Sequence, residues 1–64
     1  MFLKYNESMN RYNSFHCGES FKINIKNEWK NVRIELDNKG WYLIDESSNR
    51  INCKDVESAE IEYL

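Results

Sequence analysis

The sequence predicts a mainly β fold: a small single-domain SH3-like barrel or an antiparallel β-meander of five to six short strands, with a short C-terminal helical turn as one alternative. Apolar and polar residues alternate in several short stretches, which is the period of a half-buried strand. Turn-forming residues separate these stretches at short intervals. The 64 residues are expected to form one domain, 1–64, because a chain of this length buries a single core.

The N-terminal third predicts a short hairpin followed by a sharp link. Residues 2–5 and 11–15 carry the apolar side chains of two strands, and residues 7–10 form the turn between them. The tetrapeptide at 16–19, which contains Gly18, then leads into the next strand.

The clearest alternation lies in the middle of the chain. Residues 20–26 and 31–36 alternate apolar with polar side chains and predict two antiparallel strands. Asn and Glu at 27–28 form the predicted two-residue loop, because Asn tolerates the left-handed backbone of such turns. Ile23 is then expected opposite Val32.

A second turn at residues 37–40 carries the strongest turn signal, since Gly40 stands where a type I turn with a bulge requires a left-handed residue. Residues 41–45 form the third strand. If Asp37 opposes Trp41, one face of the three strands is apolar. The predicted core comprises Phe21, Ile23, Ile25, Val32, Ile34, Leu36, Tyr42 and Ile44.

The C-terminal region leaves two alternatives open. Residues 47–50 form a loop, and Asp55 is placed to cap a short turn. Residues 59–63 alternate as a closing strand would. Their apolar residues also continue a spacing of three and four, so residues 55–64 can instead be helical.

The charge balance argues against a protein that wraps duplex DNA. Nine basic and eleven acidic residues leave a formal net charge of −2. The acidic excess lies in residues 45–64, which are either a mimic of nucleic-acid phosphates or a solvated edge strand whose charge opposes aggregation. No apolar run approaches the roughly 18 residues of a membrane span, and the first residues turn polar too early for a signal peptide. A cytoplasmic protein with no membrane partner is expected.

Residue types that carry catalysis or bind metals are sparse. Cys17 and Cys53 are the only cysteines and are expected to be reduced thiols, with Cys17 buried. His16 stands beside Cys17, but neighbouring side chains of an extended segment point apart, which disfavours a Cys–His nucleophile. Structural zinc usually takes four Cys or His ligands, more than these three. We therefore predict no enzyme, no cofactor and no metal site.

The other face of the predicted meander holds the candidate partner-binding residues Trp29, Arg33, Trp41, Lys22, Lys26 and Leu43. Aromatic side chains rimmed by charges are typical of protein-binding hot spots. A second interpretation places Trp29, Trp41 and Leu43 in the core, because so small a chain needs its apolar residues for stability. A third uses the face to close a homodimer. Nucleic acid is a weaker candidate partner, because three cations on one face supply few phosphate contacts.

Several short motifs together resemble a known family. They are Leu3-x-Tyr5, Arg11-Tyr12, His16-Cys17-Gly18-Glu19-x-Phe21, Trp29-x-x-x-Arg33-Ile34-Glu35 and Gly40-Trp41-Tyr42-Leu43. The combination resembles a family of very short uncharacterised proteins, a domain of unknown function, from low-GC Gram-positive bacteria and their mobile elements. Glu28 stands where that pattern commonly has Gly, and the residues after Asp45 match it poorly. The resemblance implies a β-rich fold and a mobile-element origin, and it carries over no catalytic or binding residue.

These observations together predict a non-enzymatic protein-binding module of a phage or mobile element, which docks on a host protein and inhibits a host defence system. A small nucleic-acid-binding regulator that uses the basic and aromatic face is the alternative. Strong salt dependence of binding would distinguish the regulator.

Overall fold

Seven strands and one 3₁₀ helix follow one another in a computed structural model that describes all 64 residues. In chain order they are β1 (Tyr5–Asn6), β2 (Arg11–Tyr12), β3 (Ser20–Ile25), β4 (Glu28–Asp37), β5 (Gly40–Asp45), β6 (Arg50–Asn52), the 3₁₀ helix (Cys53–Val56) and β7 (Ile61–Tyr63). β1 and β2 form a separate hairpin, and the other five strands form one antiparallel sheet in the order β6-β5-β4-β3-β7. The sheet does not close into a barrel, so the chain adopts the predicted meander rather than the SH3-like alternative. Its one helix is not long and apolar enough to cross a membrane.

The hairpin of β3 and β4 turns one residue earlier than predicted. Lys26 and Asn27 form its loop, with left-handed φ angles of 53° and 65°, as a type I′ turn requires. Val32 therefore pairs with Phe21 rather than with Ile23. This shift of two residues leaves every side chain on its predicted face, because side chains alternate with a period of two.

The hairpin of β4 and β5 also differs from the predicted register. Its loop contains only Asn38 and Lys39, so Asp37 pairs with Gly40 rather than with Trp41. The Asp37 carboxylate accepts a hydrogen bond from the Lys39 backbone N–H at 2.9 Å, which holds the tight loop. Gly40 adopts the predicted positive φ, 118°, but no bulge follows it.

This one-residue difference turns the side chains of β5 to the other face of the sheet. Leu43 lies opposite Ile34 and is fully buried. Tyr42 and Ile44, which were predicted for the core, lie on the opposite face and are half-buried. The predicted core is therefore correct for the central residues of β3 and β4 and wrong for β5.

The core lies between the sheet and a covering layer, which consists of residues 3–15, including the N-terminal hairpin, and the chain between β6 and β7. The buried side chains are Leu3, Tyr12, Phe15, Phe21, Ile23, Val32, Ile34, Leu43, Cys53 and Ile61. Phe15 of the covering layer stacks on Phe21 of β3, with ring centroids 4.1 Å apart, and such pairs add to the free energy of apolar burial. The covering layer and the sheet therefore share one core.

The closing strand β7 pairs with β3 at one edge of the sheet. Ile61 lies opposite Ile23, and Tyr63 opposite Phe21. The strand alternative for the C-terminus is thus confirmed for these residues, and helical structure is limited to the 3₁₀ helix. On the outer side of β7, the Ile61 N–H donates a hydrogen bond to the Met1 carbonyl at 2.8 Å.

Candidate binding surfaces

The face of the sheet opposite the core has no covering layer, and we call it the open face. Its side chains come from alternate positions of all five strands and include Lys22, Asn24, Trp29, Asn31, Arg33, Glu35, Tyr42, Ile44, Arg50, Asn52 and Glu62. Trp29 is 43% exposed. Antiparallel sheets commonly leave one face to solvent, and that face is usually polar. A Trp on it marks a candidate contact with another molecule.

Both arginines of the open face are already paired with carboxylates. Arg33 Nε lies 2.7 Å from Glu35 Oε2, and Arg50 Nη2 lies 2.8 Å from Asp37 Oδ2. The Arg50 guanidinium also lies 3.8 Å from the centroid of the Tyr42 ring, a cation–π geometry. The hydrogen bond from Arg50 holds the pKa of Asp37 below its ordinary value. The positive charge of these arginines is therefore largely compensated.

The structure brings part of the predicted partner-binding set together. Three of its members lie on the open face: Lys22, Trp29 and Arg33. Lys26 lies in the exposed β3–β4 loop beside them. Leu43 is fully buried in the core, and Trp41 is half-buried and packs against the core. The placement of these two residues on the open face was wrong, because the β5 register turns both side chains to the other side.

A cleft of about 1040 Å³ lies between the β4–β5 hairpin and the covering layer, and we call it the hairpin cleft. Leu36, which is 49% exposed, and Trp41 supply apolar lining. The charged lining consists of Glu7, Lys39, Arg50, Lys54, Asp55 and Glu57. Sequence reasoning missed this cleft, since only the observed register pairs Leu36 with Trp41.

A hydrogen bond ties the covering layer together beside the cleft. Tyr12, which pairs with Tyr5 in the predicted N-terminal hairpin, donates from its hydroxyl to Glu57 Oε2 at 2.5 Å. Burial, reinforced by this hydrogen bond, raises the pKa of Tyr12 above its ordinary value. Burial, with the Glu57 charge adding to it, raises the pKa of Cys53 to about 12. Both groups therefore stay neutral near pH 7, and Cys53 lacks the thiolate that makes a cysteine reactive.

The other reactive residue types do not assemble into a site. Cys17 and Cys53 are both free. Cys17 is exposed, so its predicted burial was wrong, because it lies in a surface turn beside Gly18. The His16 ring contacts Arg11, with Nδ1 3.1 Å from Nη1. No three His, Cys, Asp or Glu side chains form a group that could hold a metal ion.

These features define a class of protein: a small antiparallel β-sheet domain with one covered face, one open face and a cleft at the end of a hairpin. The chain belongs to the family described as Domain of unknown function (DUF5348), whose model matches residues 2–61. The match includes residues after Asp45, where the motif pattern was weak. No match was found among curated proteins or among solved structures.

Proposed function

We propose that this chain is a non-enzymatic protein-binding module that docks on a partner protein through the open face. The observation that carries the proposal is Trp29, 43% exposed on a sheet face with no covering layer. Trp is enriched among residues that dominate binding energy at protein interfaces, because it buries a large area with few rotatable bonds. Lys22 and Lys26 lie near Trp29, and Arg33 lies further along β4 on the same face. These cations would set the orientation of the partner.

The charges of the open face favour a protein partner over a nucleic acid. A nucleic-acid surface gains affinity from uncompensated cations that replace counterions on phosphates. Arg33 and Arg50 are instead held by Glu35 and Asp37. Lys22 pairs in register with Glu62 of β7, which places another carboxylate beside a cation. The nucleic-acid regulator therefore remains the second candidate.

The proposal extends to the setting in which the module acts. The motif resemblance points to a phage or another mobile element as its origin. A small binding protein of such an element would meet host proteins in the cytoplasm, and inhibition of a host defence protein is the specific version. It fails if expression of the chain leaves phage growth unchanged in every defence background tested.

Capture from a nuclease-treated host lysate tests the docking surface with matched variants. Trp29→Ala removes the anchor of the open face, and Met9→Ala removes a similarly exposed side chain, 45%, from the β1–β2 turn. We expect one stoichiometric protein to be retained by the wild type and by Met9→Ala, and to be lost with Trp29→Ala. Equal retention by both variants contradicts docking through the open face. Loss of every partner on nuclease treatment favours the nucleic-acid regulator.

A further inference from the structure

The two edges of the sheet differ in what is bonded to them. On the outer side of β7, the Ile61 N–H donates to the Met1 carbonyl, and Phe2 forms a bridge with Glu60. This edge is therefore partly covered by the N-terminal segment. At the other edge, β6 pairs only with β5, and an edge strand without a neighbour presents unpaired backbone groups.

The hydrogen-bond pattern identifies which backbone groups of β6 are free. The Asp45 N–H donates to the Asn49 carbonyl at 3.1 Å, and hydrogen-bonded pairs alternate with non-bonded pairs in an antiparallel ladder. Leu43 and Ile51 therefore form the next bonded pair, and the N–H groups of Arg50 and Asn52 point away from β5, as does the Arg50 carbonyl. No bond from these groups to another loop or turn is present.

The hairpin cleft lies beside this free edge. Arg50 and Asn52 both line it, together with Leu36 and Trp41. Pairing between β5 and β6 ends at Tyr42 and Asn52, because the chain then turns into the 3₁₀ helix, and Trp41 has no strand neighbour on that side. An added strand would therefore find backbone partners on β6 and an apolar surface for a side chain next to them.

The charges of the cleft define the partner that fits it. Arg50 is compensated by Asp37, which leaves three carboxylates, Glu7, Asp55 and Glu57, against two lysines. The whole chain has a net charge of −2, so a second copy of it is less complementary to these carboxylates than a basic segment is. A segment that carries a basic residue is complementary.

We infer that β6 and the hairpin cleft bind an extended segment of a partner protein, which adds to the sheet as a sixth strand. Backbone hydrogen bonds to Arg50 and Asn52 would give affinity, an apolar side chain would contact Leu36 and Trp41, and a flanking Lys or Arg would face the cleft carboxylates. This is the strand-addition mode of peptide recognition. The side chains of Arg50 and Asn52 belong to the open face, but the site lies at the β6 edge and does not depend on Trp29.

Asn52 offers a matched pair of variants that test this site. Its φ is −70°, which proline adopts without strain, and its N–H is free, so Asn52→Pro removes the donor and blocks the edge while the β5–β6 ladder is kept. Asn52→Ala keeps the N–H and serves as the control. Far-ultraviolet circular dichroism and thermal unfolding of both variants verify that they fold alike.

The probe is a library of random linear peptides displayed on phage and selected on the full chain. We expect enriched peptides with an apolar residue flanked by Lys or Arg, which bind the wild type, Asn52→Ala and Trp29→Ala alike and bind Asn52→Pro at least about tenfold more weakly. Leu36→Ala should also weaken binding. Selection of no peptide, or equal affinity for Asn52→Pro and Asn52→Ala, overturns the inference. Loss only with Trp29→Ala moves recognition to the open face.

Sedimentation of the chain without peptide tests whether a second copy of the chain binds the β6 edge. A monomer at all concentrations is expected for the wild type and for both Asn52 variants. A dimer that Asn52→Pro abolishes and Asn52→Ala preserves would assign the edge to a second copy and overturn the partner segment. Neither the sedimentation results nor the results with the Asn52 variants bear on capture of a partner from lysate through Trp29. The strand-addition site and the proposed function therefore fail independently.

Discussion

The two faces of the five-stranded sheet come from the same strands, yet they differ in what surrounds them. On the covered face, Phe21, Ile34 and Leu43 are fully buried. On the open face, Trp29 is exposed, and both arginines of that face are paired with carboxylates. Apolar burial on the covered face therefore stabilises the domain, and the open face is left available for contacts with other molecules.

The small size of the domain makes the exposure of large apolar side chains costly. A domain of 64 residues buries only about 60% of the surface that its unfolded chain exposes, so each large apolar residue left outside the core is a loss of stabilisation. Trp29 and Leu36 are such residues. They lie on the open face and in the hairpin cleft, the two surfaces that we assign to partners.

Truncation of Leu43 should have the largest effect. Leu43→Ala removes a fully buried side chain and should cost about 2 to 5 kcal/mol, which is comparable to the whole stability of a small domain. Leu36→Ala, at a half-exposed position on the same face, should cost less than about 1 kcal/mol. Urea unfolding followed by circular dichroism measures both variants. Equal unfolding free energies for Leu43→Ala and Leu36→Ala would mean that Leu43 lies on the open face, which contradicts the β5 register.

Alkaline pH should weaken the covered face. The pKa values of Cys53 and Tyr12 are raised above their ordinary values of 9.0 and 10.0. Their contribution to the unfolding free energy is therefore complete below pH 9 and is lost as the pH rises towards the pKa values of the folded state. The unfolding free energy should then fall by about 1.4 kcal/mol per pH unit for each group deprotonated only in the unfolded state.

The double variant Tyr12→Phe, Cys53→Ala is the control for this titration. It should give a clearly shallower decline of the unfolding free energy above pH 9, because neither group titrates. An equally steep decline in the double variant would mean that other residues cause the alkaline loss.

The turn of the β3–β4 hairpin should respond to glycine with increased stability. Lys26 has a φ of 53°, a conformation that costs L-residues about 1 to 2 kcal/mol. Lys26→Gly should therefore raise the unfolding free energy by about 0.5 to 1 kcal/mol, after the entropy of glycine is subtracted. Lys22→Gly, in the exposed part of β3, should lower it by a similar amount. Destabilisation by Lys26→Gly would favour the loop that was predicted at 27–28.

Removal of Arg33 should have the smallest effect on stability. Its pair with Glu35 is exposed, and pairs of this kind contribute about 0 to 1 kcal/mol. We expect Arg33→Ala to change the unfolding free energy by less than about 0.5 kcal/mol, while capture of the partner through the open face is weakened. Chemical denaturation and the capture assay measure the two effects on the same preparation. A large loss of stability would make this pair part of the fold rather than of a docking surface.

The strands could be predicted because they follow from local patterns. Alternation placed β3 and β4, and Gly40 marked the second turn with the correct sign of φ. Faces were harder to predict. At the hairpin loop of Lys26 and Asn27, the observed register differs from the predicted one by two residues, and each side chain stays on its predicted face. At the loop of Asn38 and Lys39 the difference is one residue, and Leu43 and Trp41 lie on the face opposite to the predicted one.

The sequence alone determined that this chain is a mainly β domain of one family, with exposed cations near Trp29. Only the tertiary structure decided that Leu43 is core, that Leu36 and Trp41 line a cleft, and that β6 is the less protected edge of the sheet. The physical reason is that alternation specifies side chains relative to their own strand. Register and the covering layer, which depend on contacts distant in the chain, specify which face becomes the core.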